Sequence, residues 1–189
     1  MTRDPDFKAD LARCPCRPFF REQSIWAICI YRFGQRVLNR RPGTMRTIQL
    51  RFYWLIFRMV ETITGISLSL DARIGPGLRI YHFGNIFIHP GAVIGRNCTL
   101  RQGVTIGNIT LEGPLPVVGD DVEFGAYAQV LGDVRIGNGA KIGVMSVVLN
   151  NVPAGATAMG APARILSRPP MGPQASGGAA RLLDRDRLM

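Results

Sequence analysis

Two histidines, His82 and His89, are the side chains of this 189-residue chain whose ordinary titration falls near neutral pH. An imidazole in that range can take a proton from a hydroxyl and hand it on. His82 stands in RIYHFGN, between two aromatics and close to Gly84, whereas His89 stands in IHPGAV, where the pattern reads as an ordinary turn. Two histidines are too few for a zinc site of familiar ligand spacing, so no metal is expected. Four cysteines (Cys14, Cys16, Cys29, Cys98) form no disulfide framework, and Cys14-Pro15-Cys16 is too tight for an ordinary bridge. They read as reduced thiols of a reducing compartment.

A repeat fills the middle of the chain and must position these residues. Every sixth residue from Ile88 is bulky and apolar: Ile88, Ile94, Leu100 and Ile106, then Val118, Phe124, Val130, Ile136, Ile142 and Val148. Four places into each unit stand small or β-branched residues, among them Ala92, Cys98, Val104, Ala128 and Ser146. Neither a helical nor a plain strand period produces this. A three-faced prism does, with one short strand and one turn per hexad and about eighteen residues per coil. The expected fold is an all-β core, a left-handed parallel β-helix of four to five coils, with a short N-terminal α-helical segment. The phase breaks twice. Residues 108–116 (NITLEGPLP) skip a repeat and should leave the prism as a loop, and the phase slips by two between Tyr81 and Phe87, next to His82.

The ends differ from the prism. Residues 24–38 and 44–64 read as two helices separated by Arg40-Arg41-Pro42-Gly43. On the second, Arg51 and Arg58 share a face with Thr47 and Thr62, and nearly everything else is apolar. That pattern suits a helix packed on a neighbour; the alternative is a basic amphipathic helix on an anionic membrane surface. The expected organisation is a helical segment over 1–65, the β-helix over 66–166 and a disordered tail over 167–189. Net charge is +10, but residues 71–166 hold 7 Lys/Arg against 6 Asp/Glu, while residues 1–70 hold 12 against 5. A near-neutral prism argues against nucleic acid as a partner. The longest apolar run, FYWLIF from Phe52, is too short to cross a bilayer, and MTRDPDFKAD carries no apolar signal core. A cytoplasmic location follows, with the inner membrane face as the site of any contact.

The stretch from Thr64 to Leu166 resembles the serine acetyltransferase branch of the hexapeptide acyltransferases. The resemblance is carried by TGISLSLDARIGPGLRIYHFGNIFIHPGAVIG, by LRQGVTIGN, and above all by SVVLNNVP followed by GAPAR. The helical lead is also similar to smaller members that acetylate surface polysaccharides, such as the enzymes of colanic acid synthesis. The resemblance implies a homotrimer, with a hexamer as the alternative, binding acetyl-CoA between adjacent prisms. It assigns His82 as the general base. It places Tyr81, Arg101 and Gln102 toward the acceptor, and Gly107, Asn108, Gly125, Ala126, Lys141, Gly143, Val144 and Arg164 along acetyl-CoA, the two cations toward its phosphates.

Three departures from that pattern bear on the acceptor. Pro114-Leu115 replace an Arg-His pair in the projecting loop, removing the cation that an amino-acid carboxylate needs. Tyr81 replaces an aspartate before the histidine, and Ser67 replaces the carboxylate that orients it, with Asp71 as a substitute. The function expected from sequence is therefore acetyl-CoA-dependent O-acetylation of a saccharide hydroxyl, free or lipid-linked, in surface polysaccharide synthesis. Serine O-acetylation in cysteine biosynthesis and a catalytically silent scaffold stand as the alternatives.

Overall fold

The computed structural model describes residues 4–14, 19 and 22–166; the expected tail over 167–189 lies outside them. Among the described residues, the helices α1 (Pro5–Ala12), α2 (Ser24–Leu38) and α3 (Thr44–Thr64) precede the strands. The latter two are the helices the sequence predicts; α1 is an addition. Asp4 caps it, accepting from the backbone N–H groups of Asp6 and Phe7 at 3.0 and 3.3 Å, and Pro5 needs no partner in the first turn.

The strands are two to four residues long and form three sheets. One sheet holds β1 (Ile66–Leu68), β4 (Ile86–Ile88), β7 (Thr105–Gly107), β10 (Gln129–Leu131) and β13 (Val147–Val148). The second holds β2 (Arg73–Ile74), β5 (Val93–Ile94), β8 (Val117–Val118) and β11 (Arg135–Ile136). The third holds β3 (Arg79–Tyr81), β6 (Thr99–Arg101), β9 (Glu123–Phe124), β12 (Lys141–Ile142), β14 (Thr157–Gly160) and β15 (Ala163–Leu166). All pairings are parallel except the closing β14–β15 turn-back. The chain thus visits the three sheets in rotation, a parallel β-solenoid of about five coils.

Register explains the hexad. Ile88 lies opposite Ile106, Ile106 opposite Val130 and Val130 opposite Val148, so each bulky residue stacks on its equivalent one coil away. All four are at most 1% exposed. Burying each contributes about 1.5–3 kcal/mol. The small residues fill the corners where the wall bends: Ala92, Cys98, Val104, Ala128, Ala140 and Ser146 are fully buried. The two phase breaks are structural. Thr99 pairs with Glu123, six residues beyond a single coil, because the 108–116 loop is thrown out between β7 and β8. Tyr81 pairs with Arg101, a 20-residue step, because the corner after β3 is two residues longer than its counterparts.

A solenoid's first coil has unpaired carbonyls that need covering. Side chains of the helical lead do it. Tyr31 donates to the Ala72 carbonyl at 2.7 Å, Gln35 to Leu70 at 2.6 Å and Ser24 to Ile80 at 3.0 Å. Arg32 donates to Ile74 and Gly75, both at 2.7 Å, and is held in turn by Asp10 at 2.8 and 3.1 Å. Asp10 also accepts from the Leu78 N–H at 2.8 Å. Phe7, Ile25, Ile28 and Tyr31 join the same buried cluster as the strands, so the helices and first coil share one core. α3 packs on α2 through Tyr53 and Phe57. Gly34 makes that crossing close: a Cβ there would sit 2.5 Å from the Tyr53 ring. Among the described residues, no helix is long and apolar enough to cross a membrane.

Candidate functional site

His82 sits at the long corner between β3 and β4. Its backbone is left-handed, at φ 66°, and Gly84 and Asn85 follow at φ 105° and 55°. A non-glycine residue in that region is uncommon and turns its side chain out of the wall. The imidazole is exposed on the single chain. Among the described residues, no side chain hydrogen-bonds to it.

The coils stack this corner into a column. The Gly103 N–H bonds the Gly84 carbonyl at 3.0 Å, the Tyr127 N–H bonds Gln102 at 2.8 Å, and the Met145 N–H bonds Ala126 at 2.9 Å. Residues 82–85, Gln102–Gly103, Gly125–Tyr127 and Gly143–Met145 therefore form one edge of the prism. Six residues expected at the site from sequence, His82, Gln102, Gly125, Ala126, Gly143 and Val144, lie along it. Tyr81 and Arg101 stand beside it, paired one above the other on β3 and β6.

Charge is divided unevenly here. The Arg79 guanidinium is buried and paired with Glu22, one contact being 2.6 Å, and lies 4.5 Å over the Tyr81 ring. Arg101 lies on the same ring at 5.9 Å and is exposed. Among the described residues no carboxylate pairs with Arg101, which leaves a free cation on the strand pair that leads into the His82 corner. Gln102 adds an acceptor: its Oε1 is buried without a hydrogen-bond partner among the described residues. An acceptor left this way costs about 1–3 kcal/mol unless a donor arrives.

Other expected residues lie elsewhere. Gly107 and Asn108 are on a different edge, between β7 and β8, with His89 one coil below. A Cβ on Gly107 would meet only His89 Cβ at 3.7 Å, so the prism does not itself demand glycine there. At Gly125 it does: the Val144 nitrogen would be 2.6 Å from a Cβ. His89 Nδ1 donates to the Pro90 carbonyl at 2.5 Å, as an ordinary turn residue does. Lys141 lies on β12, its ammonium 3.4 Å from Glu123 and well exposed. Arg164 pairs opposite Met159 at the closing end of the third sheet, five strand spacings (about 24 Å) from Tyr81. Asp71, the suggested carboxylate partner of His82, sits at the β1–β2 corner on the edge of Gly107, with its carbonyl bonded by Gly91. It does not reach the histidine's edge in the single chain. Ser67 faces outward on β1 opposite Phe87.

The sequence reading missed Tyr127. It is held at φ 58° with its ring over Gly103, where a Cβ would lie 2.2 Å from the ring. The signal was Gly103 itself, a glycine at φ 74° in LRQGV one coil below an aromatic corner residue. Tyr127, Phe83 and Phe87 are 46–51% exposed and give the edge around His82 an aromatic lining. A shallow depression lined by Val117, Arg135, Asn151 and Ala154 lies against the second sheet, away from His82, and its only ionisable lining group is Arg135.

Residues 116–150 match the family description "Bacterial transferase hexapeptide (six repeats)". The chain is 37% identical over 145 residues to a serine acetyltransferase of Helicobacter pylori, an alignment covering 74% of this chain and 79% of that one. The chain belongs to the serine acetyltransferase family. The fold of that family agrees: the Neisseria gonorrhoeae serine acetyltransferase in complex with serine superposes with a TM-score of 0.69 at 30% identity, over 86% of this chain. A serine acetyltransferase in complex with CoA gives 0.70 at 31% identity, over 85% of this chain. This chain is the shorter partner, spanning 66% of both solved chains and 62% of a longer curated relative.

These findings overturn the saccharide acceptor expected from sequence. The relatives found are serine acetyltransferases, and they lend no support to a special closeness to colanic-acid enzymes. The physical premise fails as well. Pro114-Leu115 leave the projecting loop without a cation, but Leu115 packs over Gly91 on the other edge, and Arg101, expected toward the acceptor, lies 5.9 Å from the Tyr81 ring with no carboxylate partner among the described residues.

Proposed function

We propose that the protein transfers the acetyl group of acetyl-CoA to the hydroxyl of L-serine, with His82 as general base. The observation that carries this reading is the grouping of an exposed, left-handed His82, an unpaired Arg101 and an unpartnered Gln102 Oε1 on one prism edge. Arg101 meets the serine carboxylate as a charge-assisted donor. Gln102, one coil above His82, accepts from the imidazole N–H and fixes the tautomer, standing where a carboxylate would otherwise be. His82 takes the hydroxyl proton as the serine oxygen attacks the thioester carbon. Backbone N–H groups are the donors available to the resulting oxyanion. The intermediate collapses, the carbon–sulfur bond breaks, and the proton passes from imidazolium to the CoA sulfur. O-acetylserine and CoA leave.

The working form is proposed to be a homotrimer. Candidate acetyl-CoA residues fall on two edges, Gly125, Ala126, Gly143 and Val144 on one and Gly107 and Asn108 on another. A single prism cannot close them into one groove; an adjacent prism can. Lys141 and Arg164, toward the closing end, are the cations proposed to meet phosphates of an extended molecule.

Thiol release from acetyl-CoA with L-serine tests the proposal. Activity with L-serine is expected, and Arg101→Gln should raise KM for serine by about 10- to 100-fold while acetyl-CoA affinity holds. Release with other hydroxyl acceptors but not serine would overturn it. Sedimentation should give three times the 20.7 kDa chain mass; a monomer with full activity would remove the shared groove.

A further inference from the structure

The exposed face of α3 is the largest feature that the transferase reading leaves unused. Met45, Ile48, Phe52, Leu55, Met59 and Ile63 are 53–64% exposed. Their spacing of three and four places all six within roughly 80° of one another at 100° per residue. The opposite face is committed, with Tyr53, Phe57 and Thr64 buried against α2 and the first coil. The stripe is therefore fixed pointing outward, and it is wide enough to need a partner.

Charge identifies that partner. The segment from Arg40 to Thr64 holds five arginines (Arg40, Arg41, Arg46, Arg51, Arg58) against one acid, and that acid, Glu61, already bonds Arg58 at 2.9 Å. Arg51 and Arg58 run along one border of the stripe, both exposed. The prism is close to neutral, so the positive charge is concentrated where the apolar surface is. Antiparallel pairing with a second copy of α3, centred on the stripe, would bring Arg51 close to Arg58 of the other copy, a like-charge contact. An anionic lipid surface satisfies both the stripe and its border. We propose that α3 seats the protein on anionic bilayers, lying in the plane of the headgroups with the Met45–Ile63 stripe inserted and Arg51 and Arg58 toward lipid phosphates. No described helix is apolar enough to span, which agrees with a surface position. The proposal is independent of the acceptor.

Co-sedimentation of the full chain with vesicles tests it, using pure phosphatidylcholine against a 70:30 mixture with phosphatidylglycerol. The expected result is binding to the anionic vesicles, weakened by salt, with little binding to the neutral ones. Phe52→Ser with Leu55→Ser should abolish it, and Arg51→Gln with Arg58→Gln should weaken it about 30-fold. All four positions are exposed, so circular dichroism melts matching the parent protein would show that the variants fold. Equal binding to both vesicle types, or none to either, would overturn the proposal. So would failure to bind vesicles combined with an assembly that loses chains in the Phe52→Ser, Leu55→Ser variant, which would make the stripe an interface between copies.

Discussion

His82 is held at φ 66° in a corner two residues longer than its counterparts, and that geometry aims an imidazole out of an otherwise regular wall. With no other titratable nitrogen on the edge, His82→Ala should lower kcat by about 10²–10⁴-fold while acetyl-CoA binding, measured calorimetrically, is kept. Full activity in that variant would dismiss it as the base. A second residue-scale prediction concerns Cys98, which occupies a small-residue corner slot and donates to the Gly119 carbonyl at 3.2 Å. Burial, with Asp120 and Asp121 adding to it, pushes its thiol up to about 11 from an ordinary value of 9.0. The folded state keeps that proton while the unfolded chain loses it, so stability is intact below about pH 9 and falls as pH rises toward 11. The loss should reach about 2–3 kcal/mol. Alanine fills the same slot at positions 92, 128 and 140, so Cys98→Ala should fold and show a shallower alkaline decline in urea melts.

At the scale of elements, a buried ion pair ties the helical lead to the first coil. Arg32 and Asp10 have side chains 4% and 0% exposed, and between them they satisfy two carbonyls and one N–H of the first coil. Burial pushes the Asp10 carboxyl above the ordinary range, against the lowering effect of Arg32 and of the backbone donors. Asp10→Ala leaves the guanidinium buried without its counter-charge and should cost about 3–5 kcal/mol in denaturant unfolding. Asp10→Asn, which can still accept from Leu78, should cost less. Equal losses in both variants would mean that the pair's charge contributes little beyond its hydrogen bonds.

For the whole molecule, what is legible from sequence follows the directness of the link between pattern and packing. The six-residue spacing of Ile88, Ile94, Leu100 and Ile106 is a statement about burial, because equivalent residues must stack one coil apart; it therefore determines the solenoid, its coils and both phase breaks. The same directness places the helices at 24–38 and 44–64 and assigns His82 to an irregular corner. Three-dimensional placement decided the rest. A hexad fixes which residues face inward but not which edge a corner residue joins, since that depends on register summed over loops and slips. Asp71 and Gly107 thus fall on a different edge from His82, while Gln102, Ala126 and Val144 fall on its own. The saccharide acceptor rested on giving the Pro114-Leu115 loop too much weight: Leu115 packs on the other edge, while Arg101, already expected toward the acceptor, pairs with Tyr81 one coil away. Sequence determined the scaffold and put His82 at an irregular corner, because both follow from local spacing; tertiary structure decided the neighbours of that corner, because neighbours on a solenoid edge are a whole coil apart in the chain.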